Sequence, residues 1–369
     1  MSDVTQMYSR GRDYVVEQPI VVLVSLVAAL LVVDLVTDLA TGAVKFSNVG
    51  VLVWRGVVNG LVIGLAGVGL SMTYSILNFA NFAHGDYISS GAFAGWATAF
   101  VIAGFGTHDI GNLALVGAGG NVYSSQLGTS ITNTPLAIIA GIVISGVATI
   151  LLALAIDRLV YKPMRGQEGI SLLIASIGVA FALRYLIVFV FDQSVRSVAE
   201  TPPSLKVPFI DGTLTMSYHE LTLVACAIGL MLGVHFLLQR TKLGKAMRAM
   251  SDNKDLAQVT GIPTEYVIRW TWIIGAGLAG VAGYLAVLEA GTIAFNRGWI
   301  LLLLIFAAVI LGGIGSIYGA IFGGLIIGLA DTVSQLWIPS DFTQAAAFGL
   351  MILILLFRPS GLFAGRSTA

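Results

Sequence analysis

The chain has 369 residues, 57% of them hydrophobic and only 10% charged, with a net charge of zero. Soluble domains carry about 25% charged residues, so the composition excludes a soluble globular protein and points to a polytopic membrane protein. The neutral balance and the lack of a long basic run argue against nucleic-acid binding, and the single Cys226 excludes an intramolecular disulfide and a cysteine-built metal site.

A membrane-spanning helix needs about 20 mostly apolar residues. In chain order such segments fall at 20–40, 56–77, 86–105, 135–156, 169–191, 219–238, 267–289, 299–311, 317–336 and 343–357, the eighth and last being short. The predicted fold class is all-α, a polytopic transmembrane helical bundle of about ten spans. Both termini are placed in the cytoplasm by the positive-inside rule. Thirteen Lys and Arg, from Arg10 and Arg12 through Arg158, Lys162, Arg240 and Arg248 to Arg366, then lie inside, against five outside, among them Arg55 and Arg297.

The first apolar run, 20–33, is of signal-peptide length. Asp13 and Glu17 stand in its flank and no small-x-small site follows, so it reads as a retained helix. Asp34 and Asp38, one turn apart near its outer end, suit either solvent exposure or an ion relay. The second and third segments are separated by an unusually polar stretch holding Asn78, Asn81, His84, Gly85 and Asp86. The outer loop 106–134, rich in Gly, Asn, Ser and Thr, is long enough to fold over the outer face or to meet a partner. Arg184 lies mid-span, and intramembrane charge is costly unless paired; Glu289 and Asp331, toward the outer ends of their spans, are candidate partners or water-accessible groups. Glycines at close-packing spacing, such as Gly56/Gly60/Gly64 and Gly324/Gly328, let helices approach closely. The turn Gly312, Gly313, Gly315, Ser316 reads either as tight packing or as a hinge.

Residues 239–270 carry the densest charge in the chain. Their middle reads as a short amphipathic helix with Met247, Met250, Leu256 and Val259 as apolar knobs, stopped at Gly261 and Pro263. Positive-inside anchoring explains the Lys and Arg; apolar knobs offered to the cytoplasm suit a partner protein.

Five ordered motifs carry a resemblance. The stretch "LGKAMRAMSDNKDLAQVTGI" (243–262) with "GAGLAGVAG" (275–283), "LNFANFAHGDY" (77–87), "DRLVYKPMR" (157–165), "VILGGIGSIYGAIFGGLIIGLAD" (309–331) and "RPSGLF" (358–363) resemble the permeases of branched-chain amino-acid ABC transporters over about 56–365. The resemblance implies a permease domain at 51–369 preceded by an N-terminal extension, 1–50, with one extra transmembrane helix. It implies an ATPase-coupling loop at Arg248, Asp255, Leu256, Ala257, Gln258, Gly261 and Ile262, although Asp255-Leu256-Ala257 replaces the Glu-Ala-Ala of many ABC permeases. The implied partners are cytosolic ATPase subunits, a second permease chain and an extracytoplasmic solute-binding protein, in the plasma membrane of a prokaryote.

The chain holds no engine of its own. A phosphate-binding loop needs Gly-Lys-Ser/Thr, and the only Gly-Lys, Gly244-Lys245, is followed by Ala246. It is therefore read as no enzyme, with no metal or cofactor of its own and with ATP and Mg on partner subunits. Under this topology Asn78, Asn81, His84, Gly85 and Asp86 lie toward the cytoplasmic side. They form either a hydrogen-bonded corner at the translocation path or inner gate, or a helix clamp that never touches solute. The implied solutes are Leu, Ile and Val; urea, amides or other small solutes within the same family, and a self-contained transporter coupled to ions through Asp34, Asp38, Glu289 or Asp331, are the alternatives.

Overall fold

The computed structural model describes residues 19–114 and 122–363. Arg10, Arg12 and Arg366 of the charge balance, and 115–121 of the 106–134 loop, lie outside the described residues. All ten predicted segments are helical: α1 (Pro19–Thr41), α2 (Phe46–Leu77), α3 (His84–Ala103), α4 (Pro135–Ile156), α5 (Gly169–Phe191), α6 (Tyr218–Arg240), α9 (Thr264–Ala290), α10 (Arg297–Gly312), α11 (Ile317–Val333) and α12 (Thr343–Phe357). Two short helices, α7 (Lys242–Asp252) and α8 (Lys254–Val259), lie between α6 and α9. Among the described residues seven helices are long and apolar enough to cross a membrane; α10 is apolar but shorter. Large apolar side chains such as Phe189 (86% exposed) and Leu151 (64%) point outward, as lipid contact allows and water does not.

The chain divides into two compact units. The smaller, described over 19–51 and 206–214, contains α1 and the first turns of α2. Within it Asp211 caps α2, accepting hydrogen bonds from the backbone amides of Phe46 (2.5 Å) and Ser47 (2.8 Å). Asp34 is exposed and Asp38 half-buried.

The larger unit holds the rest. Its helices start where the sequence supplies caps: Ser217 and Glu220 form a capping box on α6, and Ser316 accepts from the Gly319 amide at the head of α11. Its core is closed by glycine contacts between α2 and α11. A Cβ at Gly60 would fall 2.8 Å from Leu325 Cα, and one at Gly324 would fall 2.5 Å from Gly64 Cα, so only glycine permits this approach. Two-residue strands β1 (Arg196–Ser197) and β2 (Thr292–Ile293) pair antiparallel. The described parts of 106–134 fold back on this region, with Ser124 N donating to Ser197 Oγ (2.9 Å) and Glu200 N to Thr129 O (2.8 Å).

Candidate functional site

Three places gather the predicted residues. The first is the polar stretch after α2. Asn78 adopts a left-handed backbone, φ 55°, which asparagine tolerates better than most residues, and the chain reverses there. The segment then climbs beside α5. Ser176 Oγ accepts from Phe82 N (3.0 Å), and Arg184, about 22 Å along α5 from Gly169 at 1.5 Å per residue, meets Asp86. The fork is two-pronged: Nε to Oδ1 at 3.1 Å and Nη2 to Oδ2 at 3.0 Å.

Arg184 is thus paired with Asp86, not with Glu289 or Asp331. The guanidinium also lies over the Trp299 ring, 4.6 Å from its centroid, a cation–π contact from α10. His84 Nε2 lies 2.9 Å from Ala66 O of α2, and Asn81 Oδ1 accepts from Ala83 N (3.1 Å) and from Tyr161 Oη (3.3 Å). His84 and Asp86 therefore fasten α3 to two different helices, while Asn81 satisfies backbone that has left the helix.

The stretch is not confined to one face of the bundle. Its first residue sits at the Gly169 end of α5, and Asp86 lies deep along that helix. There the head of α3 meets the head of α10: Ser89 Oγ accepts from Gly298 N (3.1 Å), and a Cβ at Gly85 would fall 2.8 Å from Gly298 O. Gly85 is the seat of this helix-to-helix contact, and the helical break lies before it, at 78–83.

The "DRLVYKPMR" stretch ties into the same network. Asp157 accepts from Arg165 Nη2 with both carboxylate oxygens (2.8 and 2.6 Å) and from Trp272 Nε1 (2.8 Å). Arg165 also pairs with Glu265, and Tyr161 stacks on Trp272 with centroids 5.3 Å apart. Asp157, Tyr161, Arg165, Glu265 and Trp272 were not singled out from sequence. The DRLVYKPMR motif was the available signal, since it sets an acid and an arginine eight residues apart around a tyrosine.

The second place is the loop between α6 and α9, which forms two helices instead of one. Met247 and Met250 are buried against the chain's own core (2% and 1% exposed), so they anchor α7 and are not offered outward. Asn253 caps α8 by accepting from Leu256 N (2.9 Å). Leu256 (61%) and Val259 (85%) are exposed, beside exposed Asp255, Gln258 and Gly261; Ala257 is buried, and Arg248 and Ile262 are half-buried. Gly261 takes φ 85°, ending α8 in a conformation glycine favours.

The third place is the Gly312–Ser316 turn, with φ 101° at Gly313 and 86° at Gly315. The C-terminal "RPSGLF" segment clasps it, Leu362 N donating to Leu311 O (2.9 Å) and Phe363 N to Gly312 O (3.0 Å).

A cavity of 310 Å³ lies between α2, α9, α10, α11 and α12, lined by Glu289, Arg297 and Asp331 among apolar side chains. The lining acids and Arg297 sit near helix ends remote from α7 and α8.

The family model for the permease component of branched-chain amino acid transport systems matches residues 52–356. The high-affinity branched-chain amino acid transport system permease protein BraD of Pseudomonas aeruginosa is 31% identical over 314 residues, covering 83% of this chain and 94% of that protein. The permease protein LivH of Escherichia coli K12, of the same description, is 29% identical over 320 residues, covering 84% and 93%. A probable branched-chain amino acid transport permease protein LivH of Methanocaldococcus jannaschii is 37% identical over 140 residues, 36% of this chain and 44% of its own. The chain belongs to the family of branched-chain amino acid transport system permease components.

Proposed function

We propose that this protein is the transmembrane permease subunit of an ABC importer for leucine, isoleucine and valine in a prokaryotic plasma membrane. The observation that carries the reading is the family match across 52–356, supported by relatives similar over nearly their whole length. Residues 1–50 form an extension with one added transmembrane helix, 51–369 form the permease domain, and about ten spans leave both termini cytoplasmic. The basic loops at 158–165 and 240–254 then face the cytoplasm, and the cavity with Glu289 and Arg297 lies toward the outside.

An extracytoplasmic binding protein delivers the solute, a second permease chain completes the path, and cytosolic ATPase subunits bind and hydrolyse Mg-ATP. Those ATPases grip α8: Leu256 and Val259 present apolar surface, Asp255 and Gln258 flank it, and Ala257, Ile262 and Arg248 hold the helix to the chain. Motion of the ATPases passes through α7 and α8 into α6 and α9. Asn78, Asn81, His84, Gly85 and Asp86 form a fixed hydrogen-bonded corner along the translocation path. Gly312, Gly313, Gly315 and Ser316 act as a hinge that opens on release of the clasp at Leu362 and Phe363.

The test is a gentle pull-down of the tagged chain from its native membrane. ATPase subunits should come down with the parent and be lost from a Leu256→Glu/Val259→Glu variant that is present at normal levels. A parent that comes down alone and intact, with uptake that survives ATP depletion and collapses with the ion gradient, would replace the importer by an ion-coupled transporter.

A further inference from the structure

The cavity near Glu289 brings charged side chains of both signs against apolar ones. Glu289, Arg297 and Asp331 line it together, and among the described residues no ion pair joins them; Asp331 is within hydrogen-bond reach of Thr343, while its Oδ1 is a buried oxygen without a partner. Glu289 lies within electrostatic reach of Arg297, so both signs of charge face one space. Apolar lining comes from Ile63, Leu301 and Leu304, the last two on the same face of α10 as Arg297. At 310 Å³ the cavity is at the lower end of the about 300–1,000 Å³ of small-molecule sites, which suits a single small solute.

From this juxtaposition we infer that the cavity is a binding site for a zwitterionic α-amino acid with an aliphatic side chain, held by the permease itself. Arg297 takes the carboxylate, since guanidinium and carboxylate pair in a two-pronged geometry. Glu289 and Asp331 take the ammonium, and the side chain lies on Ile63, Leu301 and Leu304. A charge leaving water needs an opposite charge or it is rejected. An amine without a carboxylate leaves Arg297 unmatched and adds repulsion to it. A carboxylic acid without an amine meets two carboxylates with nothing to offer them. A bare inorganic cation gains from the acids but must sit beside a fixed guanidinium. A solute with both charges and an apolar tail answers the basic, acidic and apolar lining together.

The inference deepens the importer reading and rests on it for the direction from which solute enters. It places solute recognition in the membrane chain in addition to any binding protein, which is a selectivity step of its own.

The experiment uses the assembled transporter in washed membrane vesicles, with the chain carrying Cys226→Ser and Gln344→Cys. Gln344 is an exposed lining residue, and a polar thiol reagent reports its access. The quantity measured is the ratio of labelling rates with and without solute. Leucine should slow labelling, whereas leucinamide and 4-methylpentanoate at equal concentration should not. Adding Arg297→Gln should raise the leucine concentration for half-protection by about tenfold or more, the worth of one charge-assisted pair, and Arg297→Lys should recover part of it. Labelling indifferent to leucine, equal protection by leucinamide, or unchanged protection in Arg297→Gln would each overturn the site. ATP-dependence of uptake, measured on the same vesicles, judges the importer reading separately: uptake that follows ATP without leucine protection defeats only the site, and protection without ATP-dependent uptake defeats only the importer.

Discussion

The corner around Asp86 and the cavity around Glu289 both hold charge deep in an apolar chain, and they treat it in opposite ways. In the corner Asp86 is fully buried and meets Arg184 in a two-pronged bond, with Trp299 against the guanidinium. In the cavity Glu289, Arg297 and Asp331 face a common space with no ion pair between them among the described residues. A buried charge is tolerated when its partner is built in; a half-exposed one can be left open for a partner that comes and goes. The first arrangement fixes helices, and the second leaves capacity for a ligand.

The comparison breaks most visibly at Asp86. Asp86→Ala strands Arg184 without its partner, and loss of one member of a buried pair costs about 3–5 kcal/mol. The chain should fall to low steady-state levels in the membrane, or unfold at a markedly lower temperature in detergent. Replacing both members with apolar residues, Asp86→Leu with Arg184→Met, should recover most of that loss. An unchanged melting temperature in the single variant would show that the pair does not hold the corner. Asp86→Asn present at normal levels with intact uptake would instead remove the corner from the transport mechanism.

Gly85→Ala tests the same corner through shape. The added Cβ meets the Gly298 carbonyl at 2.8 Å, where backbone on both sides leaves little room to yield, so a cost of about 1–3 kcal/mol is expected. Melting of the purified chain reads it directly, and a neutral result would mean that the heads of α3 and α10 slide apart easily.

The cavity should respond in the reverse sense. Glu289→Gln and Asp331→Asn break no ion pair, so their effect on melting should stay within about 0.5 kcal/mol, while leucine uptake falls. Destabilisation on the scale of Asp86→Ala would reclassify these acids as structural. The two regions would then be alike.

The length of the apolar runs located the ten helices predicted as spans, and the shortness of 299–311 already marked α10 as unusual. Partner choice was less accessible. Arg184 announced that it needed an acid, but Asp86 is 98 residues away, and hydropathy does not say which helices touch. The depth of the corner was hidden for a related reason: a hydropathy count sees Asn78–Asp86 as the end of one apolar run and the start of the next, and cannot tell a turn at the surface from one that climbs back along α5. In α7 the amphipathic pattern was right, but its owner was not. Met247 and Met250 face the chain's own core, and an apolar stripe looks the same whether it is buried by its own fold or by a partner. Leu256 and Val259, on the six-residue α8, are the ones left uncovered.

Asp211 supplies the mildest test, because it shows a carboxylate satisfied in solvent by amides instead of by charge. Desolvation against the helix end alone would raise its pKa, but hydrogen bonds from the Ser47 and Phe46 amides outweigh it, and the group lies below its ordinary 3.8. A carboxylate with a depressed pKa in the folded chain contributes stability that is complete above the ordinary value and lost as pH falls through the folded one. Between neutral pH and about 5, well above the ordinary value, the cap on α2 should be unaffected. Below 3.8 it should weaken, and the Phe46 and Ser47 amides should exchange faster relative to an unstructured peptide at the same pH. Asp211→Asn should show that faster exchange already at neutral pH and no acid-dependent step. Because the cap is exposed, the change should remain confined to the first turn of α2, leaving the melting temperature where it was. A global loss of stability from this substitution would mean that solvent-exposed and buried carboxylates matter equally here, and the contrast between the paired corner and the open cavity would lose its physical basis.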